Sequence, residues 1–199
     1  THFLTLSPKH HVVILDVGGS YRKLAQVFGG SYLEIDCSEA YDMNPFPKGE
    51  RLFPNAHEFD SDLLAFLVTL LEKMVTEKEK LTSSELRILE KAVLSVYEQT
   101  GRNLSPLLQD VQNVLRNFAL GDEEDRGKAY QFAKNLSLWT EGRFGKLLNR
   151  PGTLSLDDRL LVFDLAKLAS HPELQSILFF VIRAALSRKL DDMGLKKMI

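Results

Sequence analysis

Two aspartates close apolar runs of strand type, and both stand where an open α/β sheet would present reactive groups. Asp16 closes the run His11 to Leu15, and Asp164 follows Leu160 to Phe163. Side chains at the carboxyl ends of such strands face the crevice in which these sheets bind ligands. A carboxylate there can hold the metal of a phosphoryl-transfer site. The same placement suits an aspartate that caps the turn or helix beyond its strand. Capping is the better supported reading for both, and more so for Asp164, because Leu165 stands where a water-polarising glutamate would be needed. After Asp16 come Gly18, Gly19, Ser20 and Tyr21. Successive backbone N–H groups in such a turn can meet a phosphate, although most glycine turns only supply positive φ.

Other chemistries find little support. No GxxxxGK[ST] loop occurs: Gly127-Lys128 and Gly145-Lys146 lack both the glycine spacing and a following Ser or Thr. His10, His11, His57 and His171 have no metal-ligand spacing with acidic or cysteine partners, and His2 lies at the terminus. Neither a metal site nor a catalytic Ser-His-Asp or Cys-His set can be assembled. Cys37, the one cysteine, excludes an intrachain disulfide and reads as a small packed thiol just past a strand. The acidic run Asp122 to Asp125 follows a helix end and reads as a solvated cap. Trp139 and Phe144 read as a packing anchor.

The elements that would position the two aspartates follow from periodicity. The apolar, β-branched stretch ending at Asp16 predicts a strand buried on both faces. Tyr21 to Phe28 predicts a short helix stopped by Gly29-Gly30, and Ser31 to Asp36 a second strand. Strand–helix–strand implies parallel pairing. Ser38 to Glu58, with NPFPKGE and FPNAHEF, reads as a loop leading out of this part. Four helices are expected between Phe59 and Arg150. The first is capped at Asp60 or Ser61, the second by a Thr82/Glu85 capping box and ended by Gly101, the third begins at Ser105-Pro106, and the fourth starts at Asp122. Pro151-Gly152 marks the return to a third strand, Leu160 to Phe163, and Ser170/Glu173 opens a last apolar helix. The expected fold is therefore α/β: about three strands of a parallel sheet with an inserted all-helical subdomain. Its parts are residues 1–58, the helical insertion 59–150, and the return 151–199.

Composition sets limits on the whole. The 199 residues are 44% hydrophobic, enough for a sizeable core. A net charge of −2 and a pI near 6.2 give no global attraction to DNA. No apolar run approaches the roughly 20 residues that span a bilayer, and no signal peptide is evident. The chain begins with Thr1, as an internal segment of a longer protein would.

The order of these parts resembles a known family. VVILDVGGSYRKLAQVFGGSYLEID, followed by Asn44-Pro45-Phe46, is similar to the segment after the P-loop helix in TraC-like conjugative transfer ATPases of type IV secretion systems. RLLVFDLAKL with its following helix resembles that family's strand before the Walker B strand, and the helical block resembles the insertion such RecA-like motors carry. The resemblance covers essentially the whole chain. It implies a parent that hydrolyses ATP with Mg2+ as a homo-oligomeric, hexameric ring at the inner face of the bacterial inner membrane. Such a parent powers pilus assembly and substrate transfer beside other secretion-channel proteins, with DNA among its conceivable substrates. Asp16, Gly19, Ser20, Tyr21 and Asp164 then fall near the nucleotide-side edge of the sheet, and Asn44, Pro45 and Phe46 on the loop returning from it. The P-loop lysine and the Walker B acid pair are expected outside this chain, so the segment alone is expected to be inactive and to hold no cofactor. Two other readings stay open. In one, the helical block is a protein-interaction module scaffolded by the α/β part. In the other, Asp16 is a receiver-type phosphoacceptor, a reading weakened by the long helical insertion and the missing companion acids and lysine.

Overall fold

The computed structural model describes residues 11–37, 43–55, 58–76, 80–152 and 156–192. The chain divides into two compact units, one formed by Thr1–Glu39 with Ser155–Ile199 and the other by Ala40–Leu154. In chain order the elements are β1 (Val12–Asp16), α1 (Arg22–Val27), β2 (Ser31–Glu34), α2 (Gly49–Leu52), α3 (Ser61–Val75), α4 (Ser83–Thr100), α5 (Leu108–Arg116), α6 (Glu123–Thr140), α7 (Gly142–Leu148), β3 (Leu160–Asp164), a 3-10 turn (Ala166–Leu168) and α8 (Pro172–Asp192). Among the described residues no helix is long and apolar enough to cross a membrane.

The first unit is a three-stranded parallel sheet in the order β1-β3-β2. The strand–helix–strand pattern predicts β1 beside β2, but β3 lies between them. Burial explains the exchange. All five residues of β3 are buried, whereas Val12 to Leu15 of β1 and all of β2 are only half-buried. β1, expected to be buried on both faces, is therefore covered less than that, and Leu160 to Phe163, apolar at every position, takes the centre. One face packs Ala25, Leu160 and Val162 with Val12, Ile14, Leu24, Phe28 and Tyr32 around them. Gly30 permits the α1–β2 turn to close over β3: a Cβ there would stand 2.7 Å from the Leu160 carbonyl oxygen and side chain. No other residue fits without displacement of backbone.

The second unit is helical. Asp60 caps α3 through Leu63 N at 2.9 Å, and α3 buries Leu63, Leu64, Leu67, Leu70, Leu71, Met74 and Val75. The Thr82/Glu85 capping box opens α4, and Gly101, at φ 84°, ends it. The third helix begins later than Ser105-Pro106 predicts: Leu107 is its N-cap, and Asp110 Oδ2 accepts the Leu107 N–H at 2.8 Å. Asp122 caps α6 through Asp125 N. Trp139 donates its indole N–H to Met74 O at 2.9 Å and packs on Phe144 with ring centroids 5.5 Å apart. Helix α7, with two glycines in seven residues, carries too little periodicity to be read in advance.

The segment before α3 also belongs to this unit, although its Pro, Gly and charges read as the end of the α/β part. Met43 N donates to Leu147 O, Gly49 N to Leu104 O and Glu50 N to Arg102 O, and Tyr97 Oη donates to Pro47 O. Composition marks such a stretch as loop but carries no information about which core receives it.

Candidate functional site

Parallel register brings the acidic strand ends together. Asp16 is the partner of Asp164, and Asp164 the partner of Glu34, so three carboxylates form one row across the carboxyl edge of the sheet. Neighbouring strands lie about 4.8 Å apart, so the row needs compensation for its charge. Each member is compensated differently.

Asp16 is 5% exposed, and burial alone would push its carboxyl upward. The backbone N–H groups of Gly18, Tyr21, Ser20 and Gly19 outweigh that and hold it below the usual value. Oδ1 accepts Gly18 N at 2.9 Å and Oδ2 accepts Tyr21 N at 3.0 Å. The glycine turn, with Gly19 at φ 68°, thus directs its donors at the chain's own carboxylate. Ser20 and Tyr21 are exposed, Tyr21 by 42%.

Glu34 is compensated by cations. Arg22 Nη2 lies 3.0 Å from Glu34 Oε1, and Lys167 Nζ lies 3.4 Å from Oε2 and 3.3 Å from Asp36 Oδ2. Hydrogen bonding to Glu34 raises Arg22, and hydrogen bonding to Asp36 raises Lys167. The Arg22 guanidinium also lies over the Tyr32 ring, 4.5 Å from its centroid.

Asp164, 3% exposed and central in the row, has no cation in reach among its described contacts. Its Oδ1 accepts Ala166 N at 2.8 Å, capping the 3-10 turn, and its Oδ2 accepts the Tyr32 hydroxyl. Burial, the bond to Asp164 and the charge of Asp164 together push the Tyr32 phenol up to about 12.

Of the residues singled out from the sequence, Asp16, Gly19, Ser20, Tyr21 and Asp164 share this edge. Asn44, Pro45 and Phe46 lie in the helical unit, all buried. Asn44 Oδ1 accepts Phe46 N at 3.1 Å and its Nδ2 donates to Pro106 O at 3.0 Å, which makes the tripeptide a side-chain-locked turn. Sequence reading missed Arg22, Tyr32, Glu34, Asp36 and Lys167. The period of two does place Tyr32 and Glu34 on one face of their strand, but nothing local tells that β3 will lie against it. Among the described residues no group of three His, Cys, Asp or Glu side chains is placed to hold a metal ion.

No curated protein sequence matches the chain. Among solved structures, VirB4 of Thermoanaerobacter pseudethanolicus is similar, with a TM-score of 0.70 and 18% identity over 92% of this chain. The chain spans about half that protein, 49% of its length. At that identity the likeness is one of fold, an α/β arrangement of three parallel strands and many helices. The family described as the TraG P-loop domain matches residues 4–199. That match takes in nearly the whole chain, and the chain belongs to the TraG P-loop domain family.

Proposed function

We propose that this chain is the part of a type IV secretion ATPase lying between the phosphate-binding loop and the Walker B strand, and that its sheet edge frames the nucleotide site. The observation that carries this is the aligned carboxyl edge, with Asp16 and Asp164 in register in a chain of this family. The parent uses ATP and Mg2+, assembles as a ring beside other secretion-channel proteins, and works at the cytoplasmic face of the inner membrane.

On the residues present, a nucleoside triphosphate and its Mg2+ do not fit. The donors of the glycine turn are engaged by Asp16, each oxygen of both buried aspartates already accepts a hydrogen bond from the chain itself, and no P-loop sequence occurs. Asp16 and Asp164 therefore act as frame: they fix the turn and the post-strand cap against which phosphate ligands from elsewhere in the parent are placed. The gene is the test. Its reading frame should encode GxxxxGK[ST] upstream of Thr1 and an apolar strand ending Asp-Glu downstream of Ile199. A frame carrying neither sinks the proposal.

A further inference from the structure

We propose that Tyr32 is a positioning residue whose hydroxyl fixes the Asp164 carboxylate beside Asp16, and that the Arg22–Glu34–Lys167 chain fixes the ring that delivers it. The row of carboxylates gives the reason. Asp16 is compensated by backbone N–H groups and Glu34 by two cations, but Asp164 has only the Ala166 N–H and this phenol. Asp164 faces Asp16 on β1, Tyr32 and Glu34 on β2, and the turn that carries Lys167. Arg22 on α1 reaches it only through the Tyr32 ring.

The ring is held on two sides. Arg22 stacks on its face while paired to Glu34, two residues along the same strand face, and Lys167 takes the other Glu34 oxygen. The hydroxyl is thereby aimed at Asp164 Oδ2, the oxygen that also stands 3.6 Å from where a Gly19 side chain would begin. The Asp164 carboxylate therefore stands beside the glycine turn. A phenol pushed up to about 12 remains a donor at every pH well below that value. The geometry stands without the nucleotide reading and rests on it only for its bearing on hydrolysis.

The test uses the 199-residue chain. Tyr32→Phe retains the ring and its stacking but removes the donor. Amide NMR resonances of Gly19 and Ala166, neither bonded to Tyr32, should shift in the variant, while those of the helical unit stay in place. In a pH titration of the unmodified protein followed by the ring resonances of the individual tyrosines, Tyr32 should ionise near 12, and Asp164→Asn should return it toward about 10. Unmoved Gly19 and Ala166 resonances in Tyr32→Phe overturn the proposal. A Tyr32 that ionises with the other tyrosines in the unmodified protein overturns it equally, and that titration does not depend on either variant folding.

Discussion

Asp16 spends its charge on its own turn, and the cost of removing that charge can be stated. Asn at this position keeps one acceptor oxygen and loses the other with the charge, so Asp16→Asn is expected to destabilise the α/β unit by about 1–3 kcal/mol at neutral pH. The sign with pH follows from the direction of the shift. A carboxyl held below its ordinary value of 3.8 contributes stability that is present above that value and lost as pH falls through the lower, folded one. Denaturant unfolding of both proteins at pH 7 and then below 3.8 should show the gap narrowing in acid. A gap unchanged with pH would mean that shape, not charge, is what Asp16 supplies. Tyr32 has the opposite sign: its phenol is raised, so its contribution is intact below about 10 and lost as pH rises through about 12.

Among the elements, two glycines with opposite expectations test the packing. Gly30→Ala pushes a Cβ to 2.7 Å from Leu160 and is expected to cost about 1–3 kcal/mol. Gly127 lies inside α6, and a Cβ at this position would have nothing within 4 Å of it, so Gly127→Ala is expected to stabilise by about 0.5–1 kcal/mol. Thermal melts of the two variants should move in opposite directions. The capping box at α4 gives another prediction. Glu85 is held down to about 2, first by the Thr82 backbone N–H and then by Lys128 of α6, 2.9 Å away. Glu85→Gln keeps an acceptor in the box but loses the charge, and should cost about 0.3–1.5 kcal/mol at pH 7. That cost should be present above about 4.5 and vanish as pH falls through about 2.

Elements were more legible in the sequence than their neighbours. Asp60, Thr82 with Glu85, Gly101 and Asp122 announce helix ends because a cap is a local event, settled within four residues. The strands ending at Asp16 and Asp164 were legible for the same reason. Which strand sits beside which was not, because Leu160 to Asp164 is separated from both partners by the helical unit. Half of the site was lost with that register: Tyr32 and Lys167 become neighbours of Asp164 and Glu34 only when β3 enters between β1 and β2. Asn44-Pro45-Phe46 was legible as loop, but not as a turn belonging to the helices.

For the whole molecule, the division into two units has its own consequence. The unit Ala40–Leu154 carries its own core, including Leu67, Leu71, Leu89, Val111, Leu115, Ala133 and Leu136. It also carries a closed polar network in which Gln112, fully buried, donates to Ala133 O and Ser137 Oγ and accepts from Gln109 and Thr140. Residues 40–154 expressed alone should keep helical circular dichroism and a buried Trp139 with blue-shifted emission. Loss of both would show that this core depends on the sheet. Added MgATP should leave the melting temperature of the full 199-residue chain unchanged, since its turn donors are already occupied. A rise of several degrees would contradict the role of frame assigned to Asp16.

The central place of β3 also has a bearing on how the chain reaches its native state. On a ribosome, β1 and β2 emerge first, and the ladder partner of both follows only after the helical unit has been made. Contacts within 40–154 close over shorter stretches of chain, so the helices can consolidate while β1 and β2 still wait for β3. Sheet closure is then a late event of high contact order, and such pairings are intrinsically slow. Until it happens, the edges of β1 and β2 that will face β3 stay open, and that interval is when the nascent protein is most exposed to aggregation.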